Sequence, residues 1–356
     1  MAFYPACLPT AIGSLPHLNP QDGVDLVIKY LPEFPTWPQL PNTSYLESMY
    51  LQYSGNMPFV RLDPVKERMH LDLSCDIYGE LETFFAHVLN DEVDYFAIGS
   101  EYARGLAVFV DRLWRRRPEG IAMLKGQVTG PISFGLMITD ERKRSILYHE
   151  EVFDAVLKSL VMKARWQVRL LKRICPDIVI FIDEPYLSSF GSAFINISRE
   201  QVLQYLGEVI EAVHQEGALA GVHCCGNTDW TLLMDARVDI INFDACEYFQ
   251  GMTLYIDPLK DFLQNGGNLA WGIVPTSALA EKTTADELLA SFQEKVNLLA
   301  KRGIRKDMLY QQSLLTPSCG MGTLTVELAD RVLSLLSGVS QKARAQLQAK
   351  KIKKVS

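Results

Sequence analysis

The chain has 356 residues, 48% of them hydrophobic and 22% charged, with a formal net charge of −7. That composition supplies a sizeable apolar core, and the acidic balance argues against nucleic acid as the main partner, because phosphate binding needs a concentrated basic surface. Seven cysteines, two of them adjacent, form no disulfide framework. The N-terminus lacks the basic and continuous apolar regions of a signal peptide, and no run of about 18 uncharged apolar residues predicts a membrane span. A cytoplasmic protein is expected.

In chain order, Leu8–Ile12 followed by Gly13-Ser14 predicts a first strand and its loop, and Asp22–Tyr30 a helix. The segment Phe34–Pro41 (FPTWPQLP) carries three prolines and must be irregular or at an edge. Together with Tyr45, Tyr50 and Tyr53 it is a candidate lining for a donor cleft, with core packing the competing reading. Tyr95–Gly99 and Ala122–Gly126 read as strands and Val152–Arg173 as a long helix. The second half alternates regularly: strand Ile178–Ile182, helix Arg199–His214, strand Ala218–Val222, a short helix Trp230–Asp235, strand Asp239–Phe243, helix Pro258–Gln264, strand Asn268–Gly272, helix Ala285–Arg302, strand Leu309–Leu314 and helix Thr323–Leu336. Repeated strand–helix units imply an α/β fold with a parallel sheet, closed or doubly wound. We read residues 1–340 as one domain, with an N-terminal elaboration over Thr36–Leu73. Residues 341–356, with Lys342, Arg344, Lys350, Lys351, Lys353 and Lys354, read as a basic C-terminal tail.

The chemistry is expected at strand C-termini, where parallel barrels gather their active-site residues. His223 and Cys225, in His-Cys-Cys-Gly-Asn, lie two apart on an extended strand end and so point to one side. Imidazole nitrogen and thiolate are both zinc ligands. Cys319, in the tight Thr-Pro-Ser-Cys-Gly loop, follows another strand. Asp244 ends a third, where it is either an oxygen ligand or a turn residue, and Glu247 is a competing oxygen donor. Two thiolates with a nitrogen and an oxygen suit Zn²⁺. Asp183 and Glu184, after the 178–182 strand, are candidates to bind a substrate ammonium, or else to cap the next helix. Gly13 and Ser14 could hold a substrate carboxylate or form a simple turn.

These motifs resemble a known family. IGSLP near the start, LKGQVTGP at 124–131, FIDEP at 181–185, the His-x-Cys at 223 and 225, VDIINFD at 238–244 and TPSCG at 316–320 are similar, in order and spacing, to the catalytic barrel of cobalamin-independent methionine synthase. The resemblance implies a (β/α)8 TIM barrel of the uroporphyrinogen decarboxylase/methionine synthase superfamily, in a short core form lacking the family's preceding barrel. It further implies zinc on His223, Cys225, Asp244 and Cys319, with Asp183 on the homocysteine amino group and Ser14 on its carboxylate. The family's acidic ligand is usually Glu, so Asp244 departs from the pattern by one methylene. His-x-Cys-Gly-Asn also resembles the zinc motif of methylcobamide:coenzyme M methyltransferases. The expected activity is therefore methyl transfer to homocysteine from a methylated corrinoid, free or on a corrinoid protein. Alternatives are coenzyme M as acceptor, a folate donor, a metal-free porphyrinogen decarboxylase, or a zinc-stabilised partner of a corrinoid protein without activity.

Overall fold

Nine strands account for the sheets of this computed structural model, which describes residues 3–193 and 195–355. They are β1 (Leu8–Pro9), β2 (Val60–Asp63), β3 (Arg68–Leu71), β4 (Leu124–Thr129), β5 (Ile178–Asp183), β6 (Leu219–Cys224), β7 (Ile240–Asp244), β8 (Asn268–Val274) and β9 (Ser313–Pro317). Seven of them form one curled, all-parallel sheet in the order β1-β9-β8-β7-β6-β5-β4. Between successive strands lie helices, among them Glu150–Lys172, Arg199–Gln215 and Ala285–Lys301. The last two begin with capping boxes at Ser198 and Thr284, whose hydroxyls and third-residue Gln201 and Glu287 satisfy the first-turn donors reciprocally.

The two edges of the sheet are joined by the proline-rich segment rather than by a regular eighth strand. Thr36 bridges to Lys125 of β4, and Gln39 bridges to Ser14 just beyond β1, both in parallel sense. The Lys125 amide donates to the Pro35 carbonyl, the Gln39 amide to Gly13 and the Leu15 amide to Gln39. Proline removes the donors a full strand would need, so this position is held by isolated bridges.

Side chains alternate across the sheet as its pleat requires. On β5, Ile178, Ile180 and Ile182 face the helices and join the main core, whereas Val179 and Phe181 face the concave side. There they meet Leu8, Phe34, Ile240, Ala270 and Leu314 in a small apolar plug. Towards the strand C-termini the concave side turns polar, with Gln127, Thr129, Asp183, His223, Asn242 and Thr316 all buried.

Several sequence expectations are corrected here. Tyr95–Gly99 is not a strand: Val93–Phe96 is a 3₁₀ turn, with Phe96 packed edge-on against Phe84. The apolar run at 309–314 is split, its first half ending the helix Lys306–Gln311 and its second half beginning β9. The N-terminal elaboration contains the antiparallel hairpin β2–β3. The final helix begins at Val326 and runs to Val355, through most of the expected basic tail. Lys342 pairs with Asp286, and Arg344 pairs with Glu33. The side chains from Lys350 onward, and Ser356, lie outside the described residues. Among the described residues no helix is long and apolar enough to cross a membrane.

Candidate metal centre

His223 is the penultimate residue of β6, and the next inward-facing position is Cys225. Cys224 between them points the other way, into the main core. Cys319 follows β9 on a loop fixed from two sides. The Ser318 amide donates to the Val274 carbonyl and its hydroxyl meets Thr276, while the Met321 amide donates to the Ser14 carbonyl and the Gly322 amide to Ser14 Oγ. A β-carbon at position 320 would stand 2.2 Å from Ser14 Oγ, so glycine is what lets this loop press against the Ser14 turn. The result brings one donor atom each from His223, Cys225 and Cys319 within 4.8 Å of one another.

The imidazole is held in one orientation. His223 Nδ1 lies 2.5 Å from Asn242 Oδ1. The Asn242 amide cannot be turned around, because its Nδ2 donates to the Ala270 carbonyl and to Thr316 Oγ1, each at 2.9 Å. Oδ1 therefore faces the ring, Nδ1 carries a proton, and Nε2 is the atom turned to the cluster, where it bonds to Cys225 and would give up any proton there to a metal. The Asn242 contact is the outer hydrogen bond that orients metal-binding histidines. Hydrogen bonds from Cys319 and His223 hold the Cys225 thiol far toward thiolate, down to about 4, and the hydrogen bond to Cys225, with burial and the Cys225 charge behind it, pushes Cys319 up. Two sulfurs sharing one proton beside an oriented imidazole form a donor set that fits a thiophilic dication such as zinc.

Asp244 lies outside this cluster. Its Oδ1 accepts the amides of Cys246 at 2.7 Å and Glu247 at 3.1 Å, the turn role that competed with metal ligation in the sequence. The described residues thus bring together three of the four expected ligands, and Glu247 is not in the group either.

The cluster opens on a cavity of about 350 Å³, within the range of small-molecule sites. Its walls include Ile12, Ser14, Gln39, Glu47, Met49 and Asp183. Asp183 is 5% exposed, and its Oδ1 has no hydrogen-bond partner. Burial pushes its carboxyl up to about 6, against the pull of His223 and Lys125. Glu47, absent from the sequence-based candidates, is its counterpart across the cavity. It sits on the 3₁₀ turn Tyr45–Glu47, with Oε1 bonded to Thr43 and 3.6 Å from Arg104 Nε, and with Oε2 unpartnered. Each carboxylate thus keeps one buried oxygen without a hydrogen-bond partner, which is costly. The tyrosines expected at a cleft do not line this one: Tyr53 is fully buried and donates to the Gln127 carbonyl.

Glu184 is corrected from substrate contact to structural cap. Its carboxylate accepts the amides of Ile132 and Ser133 and the Ser133 hydroxyl, at 2.6–2.9 Å. These close the N-terminus of the helix Pro131–Met137, whose own cap residue, Gly130, has no side chain to do so. Glu184→Ala is expected to lower stability by about 3 kcal/mol, because two buried amides lose their acceptor, while metal content stays unchanged. Denaturant unfolding alongside metal analysis checks both. Gly13, with φ +150°, packs against Gln39 and Gln127; a β-carbon there would meet Gln39 Oε1 at 2.8 Å.

A larger concavity of about 820 Å³ lies at the other end of the strands, around Leu219, Asp239 and Asn268, and holds no histidine or cysteine.

No family model and no curated protein matches the chain. Among solved structures, it is similar to a B12-independent methionine synthase from Shewanella sp. W3-18-1 in complex with selenomethionine. The two share 17% identity over 68% of each chain, with a TM-score of 0.46, and a likeness of that size assigns neither activity nor ligand.

Proposed function

We propose that the protein is a zinc-dependent methyltransferase acting on an amino-acid thiol of the homocysteine kind. The observation that carries this reading is the convergence of His223, Cys225 and Cys319 at the wall of a cavity that also presents two buried carboxylates with unpartnered oxygens. Three protein ligands leave one tetrahedral position open, as in reactive rather than structural zinc sites. Bound there, zinc would stabilise a substrate thiol as its thiolate, the form that attacks a methyl carbon.

The chain's own residues supply the rest. Asn242 holds the imidazole in its ligating tautomer. Asp183 and Glu47 would receive the substrate ammonium, which explains why each keeps an oxygen unpaired. These acidic walls oppose a sulfonate such as coenzyme M as acceptor. At the Ser14 turn, Oγ accepts the Gly322 amide, while its own proton and the amides of Gly13 and Ser14 have no acceptor among the described residues. Three free donors in one turn suit the substrate carboxylate.

For the donor we retain a methylated corrinoid, free or protein-bound. Such a donor would supply a methyl group whose carbon–cobalt bond breaks with the electron pair left on cobalt as sulfur bonds to carbon, so the chain would need no general acid. A folate donor would need a proton on its leaving nitrogen. The bridges of Thr36 and Gln39 to both sheet edges support reading the sheet as a (β/α)8-type barrel. The test is an assay of purified, zinc-loaded protein with homocysteine and either methylcobalamin or methyltetrahydrofolate. Methionine formed from the first supports the full reading. Absence of methionine with both, in protein shown to bind zinc, refutes the methyltransferase assignment.

A further inference from the structure

Lys125 is a fully buried cation that the proposed chemistry does not use. It lies on the concave face of β4, and its Nζ donates to the Ile12 carbonyl at 2.6 Å and to Gln127 Oε1 at 3.1 Å. The same ammonium stands 4.5 Å from the centre of the Phe181 ring. Among the described residues it makes no ion pair, and burial draws its pKa down to about 7 against the raising pull of the Asp183 carboxylate. Keeping such a group buried is costly, which calls for a role beyond filling space.

Its first contact supplies that role. A peptide unit is planar and trans, so its C=O and N–H point in opposite directions. Anchoring the Ile12 oxygen on Lys125 therefore aims the Gly13 N–H away from β4, and that N–H is one of the unpartnered donors of the Ser14 turn. The second contact ties the same ammonium to Gln127. That amide also accepts from Thr36 Oγ1 and donates to the Trp37 carbonyl, linking the turn to the segment that joins the sheet edges.

The geometry points to Lys125 as a positioning residue for the acceptor's carboxylate: it fixes the Ile12–Gly13 peptide and with it the turn at Ser14, which lines the cavity and receives that group. This inference rests on the thiol-methyltransferase reading, and its test separates the two. Cobalt(II)-substituted protein reports thiol binding through the thiolate-to-metal absorption band. Two probes are titrated: homocysteine, and 3-aminopropane-1-thiol, which is homocysteine without its carboxylate. In Lys125→Met, homocysteine affinity is expected to fall about tenfold to a hundredfold further than that of aminopropanethiol, as when a hydrogen bond to a charged group is lost; the smaller loss for aminopropanethiol reports the Asp183 charge that Lys125 no longer supports. Equal losses for both thiols, or no loss for homocysteine, overturn the positioning role. Lys125→Gln, which keeps a donor, carries the same titration if the methionine variant does not fold, with a smaller selective loss expected. Failure of both variants to fold makes Lys125 a folding determinant and overturns the proposal. If the unsubstituted protein holds cobalt yet binds neither thiol, the methyltransferase reading falls and takes this role with it.

Discussion

Cys319→Ser is expected to abolish stable zinc retention and methyl transfer together. A serine hydroxyl at this pH remains protonated and is a far poorer ligand than thiolate, and the loop that presents it is too tightly stitched to Ser14 to recruit another donor. Cys225→Ser should behave alike. Cys224→Ser is the control, because alternation along β6 turns that thiol into the apolar core. It should keep its zinc and lose roughly 1–2 kcal/mol of stability from the buried hydroxyl. Metal analysis after dialysis against a chelator reads all three. Full zinc content in Cys319→Ser removes that residue from the site and leaves too few ligands for the mechanism.

The second large effect concerns the two carboxylates. Asp183→Asn and Glu47→Gln each replace a charge with an amide of the same shape. Charge-assisted hydrogen bonds contribute about 1.5–3 kcal/mol, so each variant should raise the KM for homocysteine about tenfold to a hundredfold. Zinc content should not change, and neither should the reaction of 2-mercaptoethanol, a thiol with no amino group. The two effects need not add, since both oxygens would share one ammonium. Homocysteine kinetics unaltered in both variants would show that the ammonium binds elsewhere.

The strand–helix alternation after Ile178 was legible in the sequence because buried parallel strands are short apolar runs bounded by polar turns. It failed where one apolar run crossed a boundary: Leu309 and Tyr310 are the buried side of a helix, and Leu314 and Leu315 belong to the strand after it. The His223–Cys225 pair could be read locally, since residues two apart on a strand share a side. The neighbours Asp183 and Glu184 are a harder case. Their adjacency suggested one function, yet the pleat sends the first into the cavity and the second to a helix end some fifty residues earlier in the chain. Asp244 illustrates the same limit, because nearby amides compete with a metal for its oxygen, and spacing alone does not tell which prevails. Glu47 gave no local signal at all. Its turn becomes part of the site only because the proline-rich segment carries the N-terminal region across the strand ends.

The loop after β9 is sewn to the turn after β1, at sequence separations near 308 residues. Cys319, a proposed ligand, therefore emerges from the ribosome long after His223 and Cys225, and it gains its support only when the chain's beginning is already in place. Until then the nascent protein offers any cation two donors instead of three, a weaker grip that permits exchange. Ion loading should thus be a late event in biogenesis, coupled to the docking of the final strand rather than to the birth of the first two ligands.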